Sequence, residues 1–318
     1  MCIFSPPVVS VTDTNIFARL LPSGWQHLVY QMKFETVKNN AIILPLPVHL
    51  PATDESCLKF ISLKDYSGFF KDLSRGFPLE PTDKKFARGG IDSARPSRSK
   101  LKVHDVGDFV ASFVPAVSDF DRLDRQFRVP QESWNKIPTY ADYGFAVFQL
   151  KSLEGKPHPM AFQFKSRMNT EEQRSVFFPT VHIHDGEVHS REDFDHTLFL
   201  QASEFDKACG EYQQKTRLVT DSATGYVRSK WAAGEFCDIK KSKGIVAADQ
   251  LVHRLEMRGK MKNTDVTARL DEPFVQAGLW PSSLKNASAM ACAAGVVGLS
   301  WLFNRRNVVA RSNGDGAE

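Results

Sequence analysis

Tyr143-Gly-Phe-Ala-Val-Phe148, Pro159-Met-Ala-Phe-Gln-Phe164, Phe177-Phe-Pro-Thr-Val-His-Ile-His-Asp-Gly186 and His196-Thr-Leu-Phe-Leu-Gln201 lie in one stretch, residues 143–201, whose reading decides the fold. Short runs of aromatic and β-branched residues, broken by Gly, Pro and Asp, read as strand, turn, strand and return strand. Four of the nine histidines, His182, His184, His189 and His196, fall inside this stretch. It is the densest cluster of chemically capable side chains in the chain.

The same texture extends toward the N-terminus. Gln26-His-Leu-Val-Tyr-Gln-Met-Lys-Phe-Glu35 sets Leu28, Tyr30, Met32 and Phe34 against His27, Gln31, Lys33 and Glu35, the period-2 pattern of a pleated strand. With flanking runs at 15–20 and 40–48, this predicts an antiparallel meander. Pro45 and Pro47 lack an N–H, so the third segment should be an edge strand or end there. Phe69, Phe70 and Leu73 share a face if 65–73 is helical, and so do Phe120, Leu123 and Phe127 over 119–127. Strands are also expected at 57–63, 101–106 and 109–115, and a Pro-rich linker at 130–138. The basic run 82–102 reads as a solvated loop, with a phosphate or anionic-lipid patch as the functional alternative.

Beyond Gln201 the segments 203–214, 228–236 and 248–258 have mixed helical character, the last with a stripe of Leu251, Val252, Leu255 and Met257. Residues 287–303 carry no charge and precede Arg305 and Arg306. A membrane span needs roughly 17 to 25 such residues, so 287–303 is a candidate membrane anchor, with an alanine-rich buried helix as the alternative.

Composition bounds the rest. The 318 residues are 42% hydrophobic and 25% charged, values of a folded globular protein. The 24 phenylalanines favour strands with aromatic faces. A net charge of +4 is too small to argue for nucleic acid. The five cysteines are scattered without C-x-x-C spacing, so neither a disulfide framework nor a thiolate zinc site is expected. The start Met-Cys-Ile-Phe-Ser-Pro-Pro shows no export signal, which leaves a membrane-associated or cytoplasmic location.

Two constellations suggest chemistry. His182 and His184 at i and i+2 project from one face of a strand and can chelate a zinc-like ion, with His189 or His196 as third ligand. The alternative is a polar hairpin face turning at Asp185-Gly186. At the front, removal of Met1 would leave Cys2 with a free amine beside its thiol, the arrangement of an N-terminal nucleophile. Dinucleotide, P-loop, nucleophile-elbow and H-E-x-x-H motifs are absent, so no nucleotide cofactor is expected.

The order of Leu44-Pro-Leu-Pro47, Tyr143-Gly-Phe-Ala-Val-Phe148, Pro159-Met-Ala-Phe-Gln-Phe164 and an arginine-flanked apolar tail resembles a bacterial family of uncharacterised proteins. That resemblance implies a bacterial β-rich domain and no activity; members of the family commonly carry an export signal. The opening Cys2 to Arg19, with Phe17-Ala-Arg19, is similar to the bile-salt hydrolase and penicillin acylase group. It implies Cys2 as nucleophile and Arg19 as a further site residue, although Leu20-Leu-Pro22 stands where that group carries an Asn-x-Asp segment.

These readings combine into an α+β protein. A predominantly antiparallel, meander- or sandwich-like β domain is expected over 1–201, a smaller mixed region over 202–280, an apolar helix over 281–306 and a polar tail over 307–318. The leading function is a metal-binding, membrane-associated protein. The alternatives are a Cys2-dependent amide hydrolase and a non-catalytic scaffold or interaction domain with a protein partner.

Overall fold

The computed structural model describes residues 2–49, 57–78, 104–129, 131–170, 172–212 and 224–272. The chain divides into one unit over residues 1–276 and another over 277–318. The second, which contains the whole of the expected apolar helix and the polar tail, lies outside the described residues.

In the first third of the chain the strands are β1 (Cys2–Ser5), β2 (Ser10–Leu20), β3 (Trp25–Glu35), β4 (Ala41–Leu46) and β5 (Leu58–Ser62). The middle supplies β6 (His104–Val106), β7 (Phe109–Val114), β8 (Gly144–Leu150), β9 (Glu154–Gly155) and β10 (Met160–Lys165). Then come β11 (Ser175–Phe178), β12 (His182–Ile183), β13 (Arg191–Phe194) and β14 (Thr197–Gln201). The last are β15 (Gly210–Glu211), β16 (Val227–Arg228), β17 (His253–Glu256), β18 (Gly259–Lys262) and β19 (Val266–Arg269). Two short helices are α1 (Phe69–Arg75) and α2 (Gln131–Asn135). Strands dominate an α+β arrangement.

One sheet runs β12-β1-β4-β8-β7-β6 and the larger runs β15-β16-β17-β14-β2-β3-β10-β5, with β9 also on β3. Most pairs are antiparallel, but β1–β12, β2–β14 and β15–β16 are parallel. Phe148 of the smaller sheet meets Phe60 and Phe162 of the larger, ring centroids 5.7 and 5.9 Å apart. Each such pair contributes about 0.5–1.5 kcal/mol beyond the area it buries. Alternation sends Ile3, Ile43, Phe145 and Val147 to the opposite face, under Phe120, Trp134 and Tyr140. On the far side of the larger sheet, Phe17, Val29 and Phe199 take Phe69, Phe70 and Leu73 of α1, as their helical spacing predicts. Gly144 opens β8 because a Cβ there would stand 2.8 Å from the Phe113 ring.

Several local expectations are corrected. The meander breaks after β3: β4 crosses to the smaller sheet and sits between β1 and β8 rather than at an edge, and it ends at Leu46, between the two prolines. Pro45 is tolerated there because β1 pairs only with Ala41–Ile43, so no β1 partner needs its missing N–H. Residues 117–127 form two 3-10 turns, not one helix, yet bury the same Phe120 and Phe127. The stripe Leu251 to Met257 contributes β17 to the larger sheet instead of a helix. Asp185-Gly186 does not close a hairpin: β12 runs parallel to β1, and β13 pairs with β18. No helix among the described residues is long and apolar enough to cross a membrane, and 287–303 lies outside them.

Candidate functional site

The histidine cluster forms where the edge of the smaller sheet meets the larger one. Extended backbone at β12 points His182 and His184 the same way, while Val181 and Ile183 join the apolar cluster on the other face. Backbone pairing sets position 182 opposite Cys2 of β1. The other edge of β12 is closed by a side chain. Asn263 Nδ2 donates to the His182 carbonyl at 2.9 Å, and the His182 N–H donates to Asn263 Oδ1 at 2.7 Å, as a neighbouring strand would. Asp265 fixes the approach by accepting from the N–H groups of Thr180 and Val181 at 2.8 and 3.0 Å and from the Tyr140 hydroxyl at 2.6 Å.

The rings pack on one another. His182 stacks on His184 and on His196, with centroids 4.6 Å apart in both cases and planes inclined by 22° and 29°. Phe194 covers His182 at 4.4 Å, and Phe4 of β1 meets His184 edge-on at 5.6 Å. His182 Nε2 and His196 Nε2 are 3.0 Å apart, so one ring donates and the other accepts. His196 Nδ1 lies 3.6 Å from Asp195 Oδ1, just beyond hydrogen-bond reach. Asp195 Oδ2 accepts from the Asp13 N–H at 2.5 Å; Asp13, at φ +54°, sits in a bulge of β2 and its carboxylate holds Lys156. Arg258 donates to the His196 carbonyl at 2.6 Å.

Burial makes these imidazoles neutral. His182 and His196 are 4% and 1% exposed; His184 is partly buried, and its Nε2 lies out of solvent with no hydrogen-bond partner. Desolvation, then the charges of His196 and His184, pushes His182 far below the ordinary imidazole range. Desolvation pushes His196 down to about 4 against the opposing pull of Asp195, and His184 also down to about 4. His189 behaves oppositely. It is exposed, and its hydrogen bond to Asp185 at 2.9 Å raises its pKa.

Of the six candidate residues, the fold gathers His182, His184 and His196 and leaves His189 outside the stack. Arg19 belongs to the larger sheet, in register with His27 and Gln201, and donates to the Gly244 carbonyl at 2.5 Å. The resemblance that pairs it with Cys2 therefore finds the two in different sheets. The metal and zinc expectation is corrected. Among the described residues no group of three or more His, Cys, Asp or Glu is arranged to hold a metal ion. Stacked rings spend two nitrogens on each other instead of aiming three lone pairs at one point. Asn263, Asp265 and Phe194 are essential to this geometry and were not foreseen; alternation of Asn263 and Asp265 around Thr264 was their only local signal.

No family model matches the chain. Its solved structural likenesses include the crystal structure of baculovirus P35, at 15% identity and TM-score 0.44, covering 84% of this chain and 98% of that one. A mutated baculovirus P35 after caspase cleavage follows at 13% identity and TM-score 0.39, over 82% and 98%. The caspase-8/P35 complex is similar at 11% identity and TM-score 0.37, over 80% and 95%. At this level of likeness, function has to be argued from the chain's own residues.

Proposed function

We propose that the chain is a non-catalytic β-rich scaffold that acts by binding another protein. The observation that carries this reading is how the reactive side chains are spent. A general base needs a substrate within hydrogen-bond reach, whereas His182 and His196 are enclosed and bonded to each other. His158 is enclosed likewise, with its ring nitrogens 3.2 and 2.9 Å from two backbone carbonyls. On the surface, Val9, Val37 and Leu153 are 59%, 74% and 46% exposed and gather at the end of β3, giving a partner an apolar foothold. Cross-linking in extracts of the expressing cells should recover one protein in fixed ratio, with lower yield from the Val37→Asp/Leu153→Asp variant. Turnover of peptide amides that disappears in Cys2→Ala would contradict the reading.

The register that sets Cys2 opposite His182 favours a second reading, an amide hydrolase with Cys2 as nucleophile. It requires a free amine at Cys2. Intact-mass measurement showing Met1 retained rules it out.

A further inference from the structure

On the face of the larger sheet that carries α1, a polar row crosses β14, β2, β3, β10 and β5. Register sets Gln201 beside Arg19, Arg19 beside His27, His27 beside Gln163 and Gln163 beside Lys59. The inner members are spent on the loop that lies over them: Arg19 donates to the Gly244 carbonyl, and Gln201 exchanges hydrogen bonds with Ala247. The outer end points to solvent instead. Lys59 of β5 holds its ammonium 4.9 Å from the centre of the Trp25 ring. Lys165 of β10 is in register with Trp25, projects from the same face and is exposed. Lys243 donates to the Ser62 carbonyl at 2.6 Å, which brings the run Lys240-Lys-Ser-Lys243 beside β5.

We propose that Lys59, Lys165, Lys240 and Lys243, gathered around Trp25, form a docking patch for an acidic, extended segment of a partner protein.

Like charges gathered around one indole repel unless an anion sits among them. The loop's own carboxylates are engaged elsewhere: Asp238 takes Lys241 at 3.2 Å, and Asp249 acts on Arg19. Among the described residues Lys59, Lys165, Lys240 and Lys243 form no ion pair. A single exposed pair is weak, but several lysines converging on one place attract carboxylates together. Lys59 and the Lys243 contact at Ser62 are three residues apart on β5, roughly 10 Å at about 3.3 Å per residue, the reach of a few extended residues. Leu58, Ile245 and Val246 are buried beneath the patch and hold no anchor out to a lipid layer. The indole carries Lys59 rather than an open face for a nucleic-acid base. Lysines are point charges without the fork of arginine, which suits carboxylates at several positions along a strand better than one fixed phosphate. The patch lies at the opposite end of β3 from Val37 and Leu153, so the inference goes beyond the apolar foothold and does not rest on it.

Fluorescence polarisation of a labelled peptide of alternating glutamate and serine, titrated with the full chain, tests the patch. The peptide should bind saturably at low ionic strength and be displaced by salt. Lys59→Glu/Lys165→Glu should weaken it roughly tenfold. Lys33→Glu/Lys38→Glu makes the same change in net charge at exposed positions toward the far end of β3, and should leave the affinity unchanged. Lys240→Glu, in the loop, should weaken it about threefold and decides the matter, by that loss or its absence, if the sheet variant does not fold. The proposal is overturned by absent saturable binding, by equal weakening in the two double variants, or by preference for single-stranded RNA or phosphatidylserine vesicles over the peptide. Recovery of a cross-linked partner is a separate result, so failure here leaves the binding role standing.

Discussion

The two sheets are held together in two chemically different ways. Around Phe148 the contact is hydrocarbon, with Phe60, Phe109 and Phe162 edge-on or tilted at 5.2 to 5.9 Å. Around His182 it is imidazole on imidazole at 4.6 Å. The phenylalanines meet mostly edge-on and the imidazoles face to face, and only the second contact depends on protonation. Aromatic packing tells how an interface is filled; the ring nitrogens tell under which conditions it holds.

Substitutions can break this comparison. Phe148→Ala should cost the most, about 3–5 kcal/mol, because it empties the middle of the inter-sheet contact. That loss, read from denaturant midpoints, should be the same at neutral and acidic pH. His196→Ala should cost about 2–3 kcal/mol near neutrality, since it opens a cavity and strands the His182 nitrogen. Its penalty should shrink in acid. The sign follows from linkage: His184 and His196 have folded pKa values of about 4 against an ordinary 6.5, so the unfolded chain binds more protons between these values. The stabilising contribution is full above 6.5 and is lost as pH falls toward 4. A pH-independent His196→Ala penalty would erase the distinction between the two contacts.

Smaller effects sharpen it. Asn263→Ala removes the side chain that closes β12, and should cost about 1–2 kcal/mol and loosen residues 182–184 before the Phe148 region. His189→Ala should leave the thermal midpoint unchanged, because that ring is exposed and its hydrogen bond is to Asp185 of its own loop. A shift as large as that of His196→Ala would mean that His189 belongs to the stack after all.

The legible part of the molecule was what depends on neighbours in sequence. Alternation along Trp25–Glu35 and the helical spacing of Phe69, Phe70 and Leu73 led to the right elements, since local periodicity fixes which side is apolar. Which sheet a strand joins was not legible: β4 reads as the third strand of a meander, yet its partners β1 and β8 are distant in sequence. The shared face of His182 and His184 followed from strand geometry. Their role did not, because it depends on His196 and Phe194 arriving from the larger sheet and on Asn263 replacing a strand. The four histidines close in sequence separate in space into three neutral rings and one surface ring with a raised pKa.

Imidazole nitrogen shifts in the uniformly nitrogen-15-labelled chain test this account most directly. At pH about 5.5, between 6.5 and 4, His182, His184 and His196 should give neutral-ring signals while His189 gives a cationic one. Four rings titrating together near 6.5 would contradict the account.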